Sequence, residues 1–540
     1  MNKQQVLVVS LIIGVASIFA AGSLALYHNQ QQVAVAVARV QELEKKLTLE
    51  DDNQGNVRVV ERVVSAQPWG KIQGQVTNTV AQIVCYRAEP DLLEPHKPYQ
   101  QGRCSGSGFF INDTGELITN SHVVQDARAV WIRIPAMGKV MVDVEVVGHS
   151  PERDLALLRV TPTGLQMIKE KLGKVPYLQF GDSDQVRRAD EILTLGYPLG
   201  QLSLKSTNGV VSGREQNLIQ VSSAINPGSS GGPSLTSDGK VVGVTCSGIL
   251  SAQNVGYIIP INDLKPILDD LRKNKLLKKP ILGVLLNNTN QEMATYFGNP
   301  TTGGVYVVDV YNGSVLAKAG VQVGDVLYEI NGHQIDMYGD LTLPWSEDKV
   351  SVSDYASRLE VGEEITVVFY RKGERREINF TFDFSDVAPV RRLFVGDEAI
   401  EYEIFGGMLV QPLMLNHIPA LVNNAPNLAK YTEFKHQMKP AVVVTHLIPN
   451  SQVQRLSVIV PGVVIDEVNG KPVGTMQEYR AALKEGVQGS FMTFKTVEGL
   501  FFVIDPKTAL QEMVRSSIDY QYPISPFIKE LMKSVGIAYE

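Results

Sequence analysis

The sequence predicts a mainly β, multidomain chain: a β-sandwich or barrel followed by two smaller units that repeat one another. Two observations carry this. Between positions 70 and 265, short β-rich runs recur between turn signals, among them Val80 to Tyr86, Val130 to Ile134, Val142 to Val147, Ile192 to Leu195 and Val241 to Thr245; that spacing belongs to all-β architecture. Further along, Gly324-Asp325-Val326-Leu327-Tyr328-Glu329-Ile330-Asn331-Gly332 returns in altered form as Gly462-Val463-Val464-Ile465-Asp466-Glu467-Val468-Asn469-Gly470. A chain of 540 residues has room for several such domains, each with its own core.

At the start, Lys3 precedes a nearly unbroken apolar run from Val6 to Tyr27 that contains no charge. About 20 apolar residues span a bilayer, so residues 1–27 read as a transmembrane anchor whose positive end stays in the cytoplasm. A cleaved signal peptide, with Ser23-Leu24-Ala25 as a small-residue site, is the alternative. Both send the rest of the chain to an extracytoplasmic space. Residues 28–68 read as a helical spacer and linker. Over 30–49, Val33, Val37, Val40 and Leu47 lie roughly on one helical stripe, which fits a short coiled coil or a solvated spacer equally. Glu50 to Val57 then reads as a connector.

Within the β-rich region, one stretch dominates: Ala224-Ile225-Asn226-Pro227-Gly228-Ser229-Ser230-Gly231-Gly232-Pro233. Its Gly and Pro content makes it a tight loop, with Ser230 at the centre and backbone N–H groups able to converge on one point. Such a loop suits an oxyanion hole made by Gly228, Ser229 and Ser230. A serine hydroxyl needs a base, usually His held by a carboxylate, to act as nucleophile. His122 lies just past the apolar strand Leu117 to Thr119, and Asp154 opens the apolar strand Leu155 to Val160. The order His122, Asp154, Ser230 is one of the known triad orders.

Thr119-Asn120-Ser121-His122-Val123-Val124, Asp154-Leu155-Ala156-Leu157-Leu158 and Asn226 to Pro233 together resemble the three signatures of the HtrA/Deg serine proteases. That family more often has Ala at position 121 and Asn at position 229; both are Ser here. The resemblance implies a chymotrypsin-like double β-barrel over 69–270, built from six-stranded barrels with the triad between them. It also places the substrate pocket just before Ser230 and in the loop Ser247 to Val255. Ile225, Ile249, Leu250 and Val255 would line it, so small or medium apolar side chains should enter.

Cys85 and Cys104 flank a polar, Pro-containing loop, Glu89 to Arg103. They read as a possible disulfide in an oxidising compartment or equally as two buried thiols, and Cys246 reads as a small core residue. Arg272 to Pro280 reads as a solvated basic connector. The run ending at Gly332 resembles the signature of PDZ modules, in which a backbone nest captures a terminal carboxylate and the peptide adds as a strand. Leu282, Gly283 and Val284 match that nest in a first PDZ-like α+β unit, 277–385. In a second unit, 391–506, Gly406-Gly407-Met408 would be the nest, and a long insert, Leu413 to Lys439, is placed to cover its groove. This arrangement resembles the organelle-type Deg proteases of plants. The tail, 507–540, reads as helical, with an amphipathic segment Pro526 to Val535 suited to docking on a neighbour.

A formal charge of −7 with one short basic cluster argues against a nucleic-acid surface. Three cysteines without zinc spacing and no phosphate loop lead to an expectation of no metal and no cofactor. The family resemblance implies an ATP-independent serine endopeptidase for misfolded or damaged extracytoplasmic proteins, with unfolded or C-terminally exposed polypeptides as partners and an oligomer built on trimers. A non-proteolytic chaperone or PDZ scaffold, and a regulatory protease with one dedicated substrate, are the competing readings.

Overall fold

The computed structural model describes residues 47–51, 57–61, 68–248 and 255–538; the expected anchor, residues 1–27, and most of the spacer lie outside them. The chain divides into two compact units at Gly74. In the first, β1 (Leu47–Asp51) pairs antiparallel with β2 (Val57–Glu61). Positions 47 to 49 are therefore strand and not the end of a helix. Their partners across the pair include Val59 and Val60, and β-branched residues favour a pleated ladder over a helix.

The second unit begins with two barrels. The first is closed in the order β3-β4-β5-β8-β7-β6, from β3 (Val80–Glu89), β4 (Gln100–Phe110), β5 (Glu116–Thr119), β6 (Ala127–Arg133), β7 (Val142–Ser150) and β8 (Leu155–Val160). Ile83, Phe110, Leu117, Ile132 and Leu158 fill its interior. The second closes as β10-β11-β14-β13-β12-β9, from β9 (Glu191–Gly196), β10 (Lys205–Glu215), β11 (Leu218–Val221), β12 (Pro233–Leu235), β13 (Val241–Gly248) and β14 (Gly256–Pro260). Closure removes the sheet edges that would otherwise invite aggregation.

The connector Arg272 to Pro280 is pinned and not merely solvated. Arg272 bonds Glu116 at 2.7 Å, and Lys278 pairs with Glu398 at 3.4 Å. The Glu116 carboxyl is desolvated, which would raise its pKa, but hydrogen bonds from Arg272, Arg159 and Asn112 prevail and bring it down to about 2.

Beyond the connector come two sheets of matching strand order. In the first repeat the order is β15-β16-β17-β21-β22, with β18 on β17; β15 is Val284–Asn287, β16 Val305–Val310, β17 Val326–Ile330, β18 His333–Gln334, β21 Glu364–Arg371 and β22 Glu374–Thr381. Between β18 and β21 a small pair, β19 (Asp340–Leu341) and β20 (Val350–Ser351), leads into a short helix, Val352–Ala356. In the second repeat the order is β23-β24-β25-β26-β28-β29, with β27 on β26; β23 is Glu403–Phe405, β24 Met408–Pro412, β25 Val442–Leu447, β26 Val464–Val468, β27 Lys471–Pro472, β28 Met492–Thr496 and β29 Phe501–Ile504. Strands β24 to β29 repeat the first sheet, and β23 is an addition with no counterpart.

Two expectations for this region change. The insert Leu413 to Lys439 does not cover the second groove: Leu413, Ile418, Leu421 and Leu428 build a separate small core with Val390, Val443 and Val464. The helix Pro526–Ser534 does not wait for a neighbour either. Ile528, Leu531 and Met532 are buried in the core of the second repeat, because that core offers an apolar surface its own chain can reach first. Among the described residues, no helix is long and apolar enough to cross a membrane.

Candidate active site and peptide grooves

A one-turn helix, Ser121–Val124, follows β5 directly and carries His122. Asp154 stands just before β8 in a left-handed conformation, φ +53°. Among residues with a side chain, Asp and Asn adopt that conformation most readily. It aims the carboxylate back at the helical turn. Oδ1 accepts the backbone N–H of His122 at 2.9 Å, and Oδ2 lies 2.8 Å from its Nδ1. A carboxylate there holds the proton on Nδ1 and leaves the Nε2 lone pair free to accept one. Asn120 adds a tether, its amide donating to the Asp154 carbonyl at 2.9 Å.

Ser230 and His122 line the same cleft. Ser230 Oγ donates to the Cys246 carbonyl at 3.0 Å. Gly228 holds φ +96° and Gly231 φ +85°, so the loop needs glycine at both. At Gly231 an added Cβ would meet the Ser107 carbonyl oxygen at 2.1 Å. The N–H of Ser229 is spent on the Asn226 carbonyl at 2.9 Å. That corrects the expectation that Ser229 contributes to an oxyanion hole and leaves Gly228 and Ser230 as its candidates.

Ser107 organises this loop and escaped the sequence reading. Wholly buried on β4, it donates its hydroxyl to the Gly228 carbonyl at 2.7 Å and its N–H to the Ser230 carbonyl at 2.8 Å. Its oxygen accepts the Tyr197 N–H at 2.9 Å. The signal was the pair of glycines around it: a Cβ at Gly106 would meet Val123 at 2.6 Å and the Ser230 carbonyl oxygen at 3.3 Å, and one at Gly108 would meet Ile83 at 2.8 Å.

Of the expected pocket residues, Ile225 lines the cleft beside Val123, Pro227 and Cys246, whereas Val255 is not among its lining residues. Ile249 and Leu250 fall outside the described residues. Arg87 also reaches the cleft, bonding the His122 carbonyl, so the cleft is less uniformly apolar than its loop sequences imply. Cys104 is there as well, joined by a disulfide to Cys85 directly opposite it across the β3–β4 ladder.

The two repeats differ at their grooves. In the first, β15 is an open edge, and Gly283, Val284 and Leu286 face Val352 and Ala356 across a groove. Gly283 holds φ +71°, and an added Cβ would meet Ser314 Cβ at 2.3 Å. Leu282 is buried in the core behind it. Phe434, from the insert of the second repeat, also borders this groove. In the second repeat the matching edge, β24, is taken by β23. Gly406 and Gly407 have φ +61° and +89°; two successive positive values close a two-residue hairpin. They are therefore a turn and not a carboxylate nest. Glu403 of β23 is clamped by Arg480 at 3.1 Å, and Glu401 by the same guanidinium at 2.6 Å. Arg480 sits on the helix Met476–Gly486.

Among the described residues, no group of three or more His, Cys, Asp or Glu side chains is placed to hold a metal ion.

Comparison with known proteins agrees with this architecture. Residues 106–244 match the trypsin-like peptidase domain family, and residues 280–381 the PDZ domain family. The chain is 30% identical to the serine protease Do-like HtrB of Bacillus subtilis over 50% of this chain and 59% of that protein. It is 28% identical to a probable periplasmic serine endoprotease DegP-like protein of Marinomonas sp. over 74% of this chain and 78% of that one. The chain thus spans less than two thirds of the length of HtrB. A solved structure, HtrA-type protease AlgW with decapeptide, overlays with a TM-score of 0.46 at 22% identity, covering 59% of this chain and 99% of that chain. Two closed barrels, a match to the trypsin-like peptidase domain family and a match to the PDZ domain family after it make this chain similar to the HtrA and DegP-like serine proteases.

Proposed function

We propose that this chain is an ATP-independent serine endopeptidase that hydrolyses peptide bonds of misfolded or damaged extracytoplasmic proteins. Ser230 is the nucleophile, His122 the general base, and Asp154 fixes the tautomer of His122 and stabilises the imidazolium that forms. The N–H groups of Gly228 and Ser230 receive the developing oxyanion. The observation that carries this reading is the 2.8 Å contact between Asp154 and Nδ1 of a histidine that shares its cleft with Ser230. The Ser230 hydroxyl donates to the Cys246 carbonyl; the proposal requires it to turn toward His122, and catalytic hydrogen bonds commonly tighten only once substrate is bound.

Apolar side chains before the scissile bond enter beside Ile225 and Val123. The first repeat takes exposed C-termini at Leu282 to Val284 and so concentrates substrate near the cleft. The relatives with periplasmic names support an extracytoplasmic site, and the apolar run Val6 to Tyr27 holds the chain to the membrane. Assembly is by homo-oligomerisation built on trimers, without cofactor or nucleic acid. The test is casein digestion by the wild-type chain and by Ser230→Ala. The mutant is expected to fold and to lose nearly all activity, since triad members act as a unit. Undiminished cleavage by Ser230→Ala moves the active site elsewhere, and an inert wild type favours a binding protein.

A further inference from the structure

Ser121, the residue before His122, stands where the family more often carries Ala. Its hydroxyl is buried and lies 2.8 Å from Nδ1 of His149. His149 is on β7, equally buried, and its Nε2 lies 2.9 Å from Oδ2 of Asp397. Asp397 belongs to the segment between the two repeats, after β22 and before β23. A serine, a histidine and an aspartate are thus hydrogen-bonded in a row. The row is no second active site: Ser121 is 1% and His149 5% exposed, so no substrate reaches the hydroxyl.

What it connects is informative. One end is the single helical turn that carries His122. The other is the chain entering the second repeat. That segment is seated on the first barrel and the connector by further contacts. Glu398 pairs with Lys278 at 3.4 Å, Asp397 lies 3.9 Å from Lys275, and Gly396 leaves room only for hydrogen over the Asp126 carboxylate. Asp126 follows the same helical turn, after its C-cap Gln125, and its Oδ1 is buried without a hydrogen-bond partner among the described residues. Glu89, Arg87 and Arg128 are the other charges around Asp126.

We propose that Ser121, His149 and Asp397 form a positioning relay that ties the orientation of the His122 turn to the seating of the segment leading into the second repeat. With Asp397 in place, its carboxylate holds the proton on Nε2, and Nδ1 accepts the Ser121 hydroxyl. If the second repeat moves and withdraws Asp397, a buried Nε2–H loses its acceptor. The ring then turns or changes tautomer, and Ser121 loses the partner that holds its turn against β7. The second repeat thereby gains control over catalysis without binding a peptide itself. The inference rests on the triad reading above, through His122.

The test uses the full-length chain and a short chromogenic peptide that cannot engage the first repeat. Ser121→Ala and Asp397→Ala are each expected to lower kcat about tenfold with KM within about twofold, because small displacements of a catalytic group act on turnover. Ser121 and Asp397 share no hydrogen bond and are joined in the row by His149. The double variant should therefore also lose about tenfold and not about a hundredfold, the signature of coupled residues. Asp397→Asn keeps an acceptor for Nε2–H and should recover most of the activity even if Asp397→Ala folds poorly. Additive losses, wild-type kcat in Asp397→Ala, or no difference between Asn and Ala at 397 would overturn the relay alone. A wild-type chain that fails to cleave would overturn both the relay and the protease reading.

Discussion

Ser107 of the first barrel donates its hydroxyl to the carbonyl of Gly228 on the second, 2.7 Å away. The bond crosses from one barrel to the other at the loop that holds Ser230. It fixes which way the peptide after Gly228 faces, in the stretch between the Gly228 and Ser230 N–H groups proposed to receive the oxyanion.

Replacing Ser107 with Ala should leave a folded protein with impaired turnover. The substitution removes a buried hydroxyl and strands the Gly228 carbonyl and the Tyr197 N–H, at a cost of about 1–3 kcal/mol. Loss of one oxyanion donor costs about 10²–10³ in kcat; a loosened loop should cost part of that, about 10–100-fold. Steady-state kinetics beside a thermal melt would check it, and an unchanged kcat would show that the loop holds its shape without Ser107.

Cleavage should follow Val, Ile, Ala or Leu. Ile225, Val123 and Pro227 give the proposed pocket apolar walls, and an unpaired charge there costs several kcal/mol, whereas one methylene changes discrimination by about 1–3 kcal/mol. Preference among apolar residues should be loose and rejection of Lys sharp. Arg87 at the cleft adds a bias against basic residues in general. Mass-spectrometric mapping of casein fragments would decide, with Lys or Arg before most cuts as the contrary result.

Peptide capture should belong to the first repeat. Its edge strand β15 is open, while β24 in the second repeat already carries β23. Gly283→Val forces a side chain onto Ser314 at a positive φ and should abolish binding of a fluorescent peptide with an apolar C-terminus. An amidated peptide should bind at least tenfold more weakly to the wild type. Equal affinity for the acid and the amide would mean that carboxylate capture is not the mode.

Asp263 should make stability fall as the solution turns from acid to neutral. Burial pushes its carboxyl up to about 6, against the pull of Arg358, 3.3 Å away. A folded-state value above the unfolded one means that the native chain binds the proton more tightly. Stability is then greatest below about pH 4, falls as pH rises through about 6 and is flat beyond. Asp263→Asn removes this dependence and should be more stable than the wild type at pH 7 by roughly 1–3 kcal/mol. Melting curves at pH 4, 5, 6 and 7 for both proteins would test it. A deficit in the mutant that grows with pH would show that the Arg358 pair outweighs the burial.

The sequence by itself determined the β-rich character, the internal repeat and the residues with the chemistry of a serine hydrolase. These are local properties: alternation and turn residues set strands, and His122, Asp154 and Ser230 each sit in a short stretch whose composition reveals its conformation. Tertiary structure decided what depends on distant parts meeting. Ser107 lies 121 positions before the carbonyl it holds, and nothing within its own strand marks it beyond flanking glycines. Gly406-Gly407 has the composition of a nest, yet pairing of β23 with β24 makes it a hairpin. The amphipathic helix at Pro526–Ser534 displays an apolar face, but only the packed core shows that the face is already covered. His149 and Asp397 are 248 positions apart and carry no shared pattern, because a hydrogen bond between two elements depends on where each ends in space and not on the residues beside it in the chain.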